Sequence, residues 1–134
     1  CDKIIMYDLR KKKNHQQKGG RIMDARKSVN DFMKTMKELS AFDKGYVDAF
    51  MNFFKEAEKP GALSAKQKAL IAVAVAVSER CSYCIAVHTK NALDAGATRE
   101  EILEAAEVAG LMGGGPAIAY ITLVLEALDA FQAK

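Results

Sequence analysis

Two thiols and one imidazole lie close together in this sequence. The stretch at 78–88 reads SERCSYCIAVH and holds two of the three cysteines and one of the two histidines of the 134-residue chain. In a helix, Cys81, Cys84 and His88 stand at i, i+3 and i+7 and share one face. A Cys-x-x-Cys pair indicates redox chemistry, and an imidazole one turn after Cys84 can accept a thiol proton.

The same cluster also fits a metal site or a packed core. Cys81, Cys84 and His88 could bind zinc with water as the fourth ligand, although residues 23–134 contain no further Cys or His to complete a closed structural site. Cysteine also packs as a small apolar side chain, so the thiols could be inert core residues. Glu79, two residues before Cys81, could serve in proton transfer or could be a solvated residue at a helix end.

Length and composition predict one soluble helical domain. A chain of 134 residues suits a single domain, and half of its residues are hydrophobic, with two prolines and no tryptophan. The net charge of +3 originates at the start of the chain: residues 1–24 carry seven Lys or Arg against three Asp or Glu, while 25–134 carry thirteen against fourteen. Since the body has no basic stripe, we expect no nucleic-acid partner.

Cysteine usage and hydropathy predict a cytoplasmic protein. Three cysteines, two of them in one motif, do not form the disulfide framework of a secreted domain. The most apolar run, 69–77, has nine residues, whereas a membrane-spanning helix needs about 20. No secretory signal is visible, so we expect no membrane association. The alternative is a lipid anchor on Cys1, which an added diacylglyceryl mass would reveal.

The first 22 residues differ from the rest of the chain. Residues 1–22 have no sustained helical or strand period and include the basic run RKKK at 10–13. Met23 then precedes a helix start. We predict a basic leader or extension over 1–22, where Cys1 and His15 are incidental, and one helical domain over 23–134.

Hydrophobic periodicity predicts an all-α fold, a compact bundle of about six helices. An amphipathic helix begins at Asp24 and ends near Ser40. A second begins at Asp43 and is closed by Pro60-Gly61. The Phe and Met content of the second helix suits core or interface packing.

The third helix is predicted to occupy the centre of the bundle. Ser64 to Gln67 has the S-x-x-Q form of a capping box, so a helix begins at Ala65. Residues 69–77 are then apolar on all sides, which favours a fully buried helix. The fourth helix follows directly, carries the cysteines and stops at Gly96.

Two helices are predicted after the cysteine helix. Thr98 to Glu101 is a second capping box and begins the fifth. The GGGP run at 113–116 lacks the Lys-Ser/Thr ending of a phosphate loop and predicts a tight turn before a sixth helix, 116–131. That helix is apolar on more than one face, so we expect part of it to pack against another subunit. The residues predicted to face inward in the fifth helix are Ile102, Leu103, Ala106, Val108 and Ala109.

Together these features resemble the alkylhydroperoxidase D-like branch of the carboxymuconolactone decarboxylase family. The resemblance covers 64–131 and rests on CSYC at 81–84 with His88, on AGATREEI at 95–102 and on MGGGP at 112–116. It implies an all-helical bundle and a homo-oligomer such as a trimer or hexamer. It also implies thiol-dependent peroxidase or disulfide reductase activity without a bound cofactor.

The resemblance also implies residue roles. In such proteins the two motif cysteines cycle between dithiol and disulfide, and the histidine belongs to a proton relay; these roles map onto Cys81, Cys84 and His88. Relatives commonly have a glutamate twelve residues before the first motif cysteine, where this sequence has Ala69. Either Glu79 has taken over that role, or the relay is incomplete and the activity is weak or different.

The two cysteines are predicted to act in sequence. Cys84 lies one turn from His88, so we expect it to attack the hydroperoxide O–O bond and become a sulfenic acid, which Cys81 resolves to a disulfide. A reducing dithiol protein or lipoyl-type group then restores the pair. Two alternatives remain: a carboxymuconolactone decarboxylase-like enzyme that uses His88 and needs no cysteine, and a non-enzymatic metal-binding or structural oligomer.

Overall fold

The chain folds into five helices, described over residues 22–132 of a computed structural model. In chain order they are α1 (Ala25–Phe42), α2 (Lys44–Glu58), α3 (Ala65–Ser78), α4 (Ser82–Asp94) and α5 (Arg99–Gln132). No β-strand occurs within 22–132, which confirms the all-α class. The predicted leader, with Cys1 and His15, lies outside the described residues except for Ile22, and its boundary stays a prediction.

Side-chain caps determine where α3 and α5 begin. The Ser64 hydroxyl accepts from the Gln67 N–H at 3.1 Å, and the Gln67 side chain accepts from the Ser64 N–H at 2.8 Å. Thr98 and Glu101 make the same reciprocal pair at 3.2 and 2.9 Å. Both predicted capping boxes are therefore present, and each satisfies two N–H groups that the first helical turn leaves unpaired.

The core lies where α3, α4 and α5 pack against one another, and α1 covers α4 on one side. These three helices supply all the largest fully buried side chains: Val73, Val77, Ile85, Thr89, Ile102, Val124 and Leu128. Helix α2 packs mainly on α1 and touches α3 over a short length. The cysteine-bearing helix is thus anchored in the core, and α2 packs beside it on α1 and α3.

Helix α3 is buried on one face only. Ala69, Val73 and Val77 are in the core, as predicted, but Ile71 is 51% exposed and Val75 is 54% exposed. The prediction of burial on all sides is wrong for this second face, because α2 contacts α3 over too short a length to cover it. The uncovered side forms a wall of a cleft beside the cysteines.

The predicted fifth and sixth helices form one element with a kink. Gly114 has φ 64° and ψ −156°, a combination that only glycine adopts readily. The GGGP run therefore separates two helical arms, as the sequence predicts, and α5 counts as one element only because no loop lies between the arms. Pro116 lies two residues later, in the first turn of the second arm, where a missing N–H costs little.

Helix α5 is strongly apolar. By length and composition it could cross a membrane, which is weak evidence because core helices share this character. Ile102, Ala106 and Leu128 are buried in the bundle, whereas Leu111 is 82% exposed. Val108, predicted to face inward, is 57% exposed, so that prediction is wrong.

Substituting Gly114 should destabilise the fold more than substituting its neighbour Gly115. Apart from its chain neighbours, a Cβ at either position meets nothing within 4 Å, but of the two only Gly114 has a positive φ. We expect Gly114→Ala to lower the free energy of unfolding by about 1–3 kcal/mol. Gly115→Ala should lower it less, because Gly115 has no positive φ and its Cβ is crowded only by the ring of the following Pro116. Urea unfolding followed by circular dichroism measures both; equal effects would contradict the assigned kink.

Candidate active site

Cys81 and Cys84 are joined by a disulfide at the start of α4. Their Cα atoms are 5.2 Å apart, a normal separation for a disulfide. Cys81 is the N-cap residue of α4, and its sulfur accepts from the Cys84 N–H at 3.2 Å. The Cys81 sulfur therefore lies at the N-terminal end of α4, where the helix dipole favours negative charge.

The turn between α3 and α4 holds Cys81 in place. The N–H of Arg80 donates to the carbonyl of Val77 and the N–H of Cys81 donates to the carbonyl of Ala76, each at 3.1 Å. These two bonds form a Schellman motif, and Arg80 takes its left-handed position with φ 55°. Cys81 thus completes the end of α3 and caps the start of α4, which leaves its backbone little freedom.

His88 lies one turn beyond Cys84, facing residues of α2. The Phe54 ring stacks on the imidazole with 6.2 Å between ring centroids and 20° between ring planes. His88 Nδ1 is 3.9 Å from Glu58 Oε1, which is too long for a hydrogen bond. This nitrogen is buried and has no hydrogen-bond partner among residues 22–132. The carboxylate is therefore close enough to attract the imidazole when it is protonated, but it is not hydrogen-bonded to it.

Burial and charge act on the His88 pKa in opposite directions. Burial lowers the pKa of His88 below its ordinary value of 6.5, and the neighbouring Glu58 carboxylate partly offsets this by raising it. The first effect is the larger, so the imidazole is neutral near pH 7. A neutral imidazole has a lone pair and can accept a proton.

Two clefts meet at this group. The α2–α3 cleft, about 530 Å³, is lined by both cysteines, by His88 and by the apolar Phe53, Ile71 and Val75. The α1–α4 cleft, about 550 Å³, reaches Cys84 and His88 but not Cys81, and its apolar walls include Val29, Phe32, Met33 and Met51. Cys84 therefore borders both clefts, and Cys81 borders one.

The structure brings Cys81, Cys84 and His88 together as the sequence predicts, while their catalytic roles stay predictions. Glu79, at the C-terminal end of α3, is exposed and lines the α2–α3 cleft. Its carboxylate makes no hydrogen bond or ion pair with the other residues of 22–132. Ala69 is buried in the core. The disulfide uses both thiols, and within the described chain no three His, Cys, Asp or Glu side chains are grouped to hold a metal ion.

Glu58 is the site residue that sequence reasoning missed. It precedes His88 by 30 positions and lies on a different helix, so no local motif connects the two. The sequence did contain one indication of Glu58. It follows Phe50 and Phe54 at a spacing of four, so its carboxylate lies at the end of an apolar stripe on one helix face. A charged residue on such a stripe indicates a polar group on the neighbouring helix that the stripe faces.

Known proteins similar to this chain share this fold. Residues 44–127 match the carboxymuconolactone decarboxylase family. A Cupriavidus necator protein is 34% identical over 110 residues, covering 82% of this chain and 97% of the relative. An apo structure of a member of that family from Legionella pneumophila has TM-score 0.73 and 35% identity, covering 81% of this chain and 94% of its own. A Thermotoga maritima member, for which a role in the antioxidative response has been suggested, has TM-score 0.70 and 26% identity, covering 79% and 90%.

The partly buried His88 should make the oxidised protein less stable in acid. Its folded pKa lies below 6.5, so the unfolded chain binds this proton first, and stability falls as the pH drops from about 6.5 through the folded pKa. His88→Gln removes this contribution. We expect the free energy of unfolding in urea to fall more between about pH 7.5 and pH 5.5 in the wild type than in the variant. An identical loss in both would show that His88 titrates normally.

Proposed function

Because the chain belongs to the carboxymuconolactone decarboxylase family, we propose that it is a thiol-dependent oxidoreductase of that family, reducing organic hydroperoxides or disulfides through Cys81 and Cys84. The observation that carries this proposal is the Cys81–Cys84 disulfide at a helix N-terminus, one turn from His88. The antioxidative role suggested for the Thermotoga maritima relative is compatible with it.

The proposed oxidation begins with the reduced pair. The neutral His88 takes the Cys84 thiol proton, and the thiolate attacks the outer oxygen of the hydroperoxide. The O–O bond breaks, the alkoxide leaves and takes up a proton to become the alcohol, and Cys84 becomes a sulfenic acid. Two electrons thus pass from sulfur to the peroxide.

Cys81 then loses its proton and attacks the Cys84 sulfenic sulfur as its thiolate; the S–O bond breaks, and the departing hydroxide takes up a proton to become water as the disulfide forms. The 5.2 Å Cα separation already suits the bond, and i, i+3 residues of a helix lie within about 5–6 Å in any case. Resolution therefore needs little backbone movement. A reducing dithiol, carried by a protein or a lipoyl-type group, restores both thiols by exchange and becomes a disulfide itself.

The clefts support an organic substrate and a separate approach for the reductant. The walls of the α1–α4 cleft are mainly apolar and include Cys84, so an alkyl or aryl group could be desolvated beside its sulfur. Cys81 borders the α2–α3 cleft, from which a dithiol could attack its sulfur. A reducing compartment such as the cytoplasm would supply that dithiol.

We also propose that the protein is a homo-oligomer, such as a trimer or hexamer. Apolar side chains of α5 near the kink are strongly exposed in the single chain: Leu111 is 82% exposed and Met112 is 79% exposed. Contiguous exposed apolar surface of this kind is typical of a contact between subunits.

Replacing either motif cysteine should stop turnover. With cumene hydroperoxide and excess dihydrolipoamide, Cys84→Ser should reduce peroxide consumption by about 100-fold or more, because the attacking thiolate is lost. Cys81→Ser, reduced beforehand and assayed without added dithiol, should consume a single equivalent and accumulate a sulfenic acid, because no second thiol is present to resolve it. Cys1→Ser removes the third thiol and is the matched control, with unchanged turnover.

The same variants separate the alternatives. Full turnover in both Cys81→Ser and Cys84→Ser would exclude the thiol mechanism. Lactone decarboxylation that survives both substitutions and disappears in His88→Gln would instead favour a decarboxylase that uses His88 alone.

A further inference from the structure

We propose that Glu58 is the positioning residue of His88: its carboxylate keeps a proton on Nδ1, leaves Nε2 free to take the thiol proton, and stabilises the imidazolium that forms. The catalytic consequence rests on the proposed function, whereas the Glu58–His88 interaction itself does not. Nothing in the chemistry of the cysteine motif requires this residue, which belongs to another helix.

Helix stability does not explain a glutamate at position 58. Glu58 is the last residue of α2, where the helix dipole disfavours negative charge. Its neighbour Glu56 pairs with Lys59 and its side chain is 66% exposed. The Glu58 side chain is only 32% exposed, and its one ion-pair partner among residues 22–132 is His88. The presence of a glutamate at position 58 is therefore better explained by its place beside His88 in the α2–α3 cleft than by the stability of α2.

Lys68 fixes the end of α2 beside the imidazole. Its ammonium group, on α3, donates to the carbonyls of Ala57 at 3.0 Å and Lys59 at 2.8 Å. These bonds satisfy C-terminal carbonyls of α2 and attach that helix to α3 on both sides of residue 58. The backbone that carries Glu58 is therefore held in place, and the side chain needs to move little to reach His88.

The imidazole of His88 and the carboxylate of Glu58 face each other without a hydrogen bond between them. His88 Nδ1 is buried without a hydrogen bond, and the nearest carboxylate oxygen is 3.9 Å away, roughly 1 Å beyond hydrogen-bond length. Rotation of the Glu58 side chain can close that gap. An Nδ1–H···Oε1 bond would then satisfy the buried donor and select the tautomer with a free Nε2.

Charged groups besides Glu58 border the same clefts. Lys68 and Glu79 line the α2–α3 cleft, and Lys90 lines the α1–α4 cleft. Lys68 is bonded to α2 carbonyls, and Lys90 is paired with Asp94. Glu58 is the charged group at ion-pair distance from the imidazole, so it is the one that should control the charge of His88.

One proton moves through Nε2 and one stays on Nδ1. His88 Nε2 takes the proton of Cys84, and the imidazolium then has a proton on each ring nitrogen. Nε2 passes its proton to the leaving alkoxide, and the Nδ1 proton stays with His88 throughout. Glu58 remains ionised and acts by attraction, so it need not touch the substrate.

The test combines NMR of the imidazole with kinetics on the full chain. Long-range ¹H–¹⁵N spectra give the tautomer and the pKa of His88, assigned by comparison with His88→Gln. We expect the Nδ1–H tautomer in the wild type and the Nε2–H tautomer, with a lower His88 pKa, in Glu58→Gln. Glu58→Asp keeps the charge and should keep the pKa nearer the wild-type value. Glu56→Gln makes the same charge change on the same helix and is the matched control, which should change neither.

Stopped-flow oxidation of the reduced protein by cumene hydroperoxide supplies the kinetic readout. Glu58→Gln should slow oxidation by about tenfold near pH 7, a part of the roughly 10²–10⁴-fold that acid–base catalysis supplies. Glu58→Asp should recover part of that loss.

Two results would overturn the proposal: a wild-type His88 that is mainly the Nε2–H tautomer at about pH 7.5, or a Glu58→Gln variant with unchanged His88 pKa. The first needs no variant to fold. A wild-type protein that leaves the hydroperoxide intact would refute the proposed function, and the spectra would still decide the role of Glu58.

Discussion

The hydrogen bonds around Cys81 are the constraint on which the rest of the site depends. Its N–H closes the end of α3, and its sulfur lies over the first N–H groups of α4. Both helices are buried in the core through residues such as Val77 and Ile85. The sulfur atoms are thus placed by two helices that are packed into the core. Because that placement needs Arg80 in a left-handed conformation, the turn stores some backbone strain, which the two helices support.

The proton acceptor is placed by a different part of the fold. His88 projects from the same helix as Cys84, but its environment comes from α2, the helix with the fewest contacts to the core. Phe54 and neighbouring apolar groups remove water from the imidazole and lower its pKa, and Glu58 opposes that effect. A base that is neutral yet able to become charged requires both influences. Any movement of α2 would therefore change the environment of His88 more than it changes the environment of the two cysteines.

Local patterns predicted most of the fold. The capping boxes at Ser64 and Thr98 and the glycine run before Pro116 each act within a few residues, so their effects could be derived from the sequence. The exposure of one face of α3 could not be derived from the sequence, because it depends on how much of α3 is covered by α2. The exposed Ile71 and Val75 follow from that tertiary arrangement.

The candidate site divides in the same way. Cys81, Cys84 and His88 lie within one motif and were predicted together, whereas Glu58 is brought to them only by helix packing. Glu79 is the carboxylate closest to the motif along the chain, but it lies exposed at the rim of the cleft. Proximity in sequence identifies groups on one helix face and is uninformative about groups contributed by a neighbouring helix.

The central claim is that the Cys81–Cys84 pair transfers two electrons to a substrate. It is tested most directly by adding one equivalent of organic hydroperoxide to the fully reduced protein, then counting free thiols and mapping the linkage by mass spectrometry. We predict loss of two thiols and formation of the Cys81–Cys84 disulfide, with one equivalent of alcohol released. Unchanged thiols in a folded protein, with the hydroperoxide intact, would contradict it.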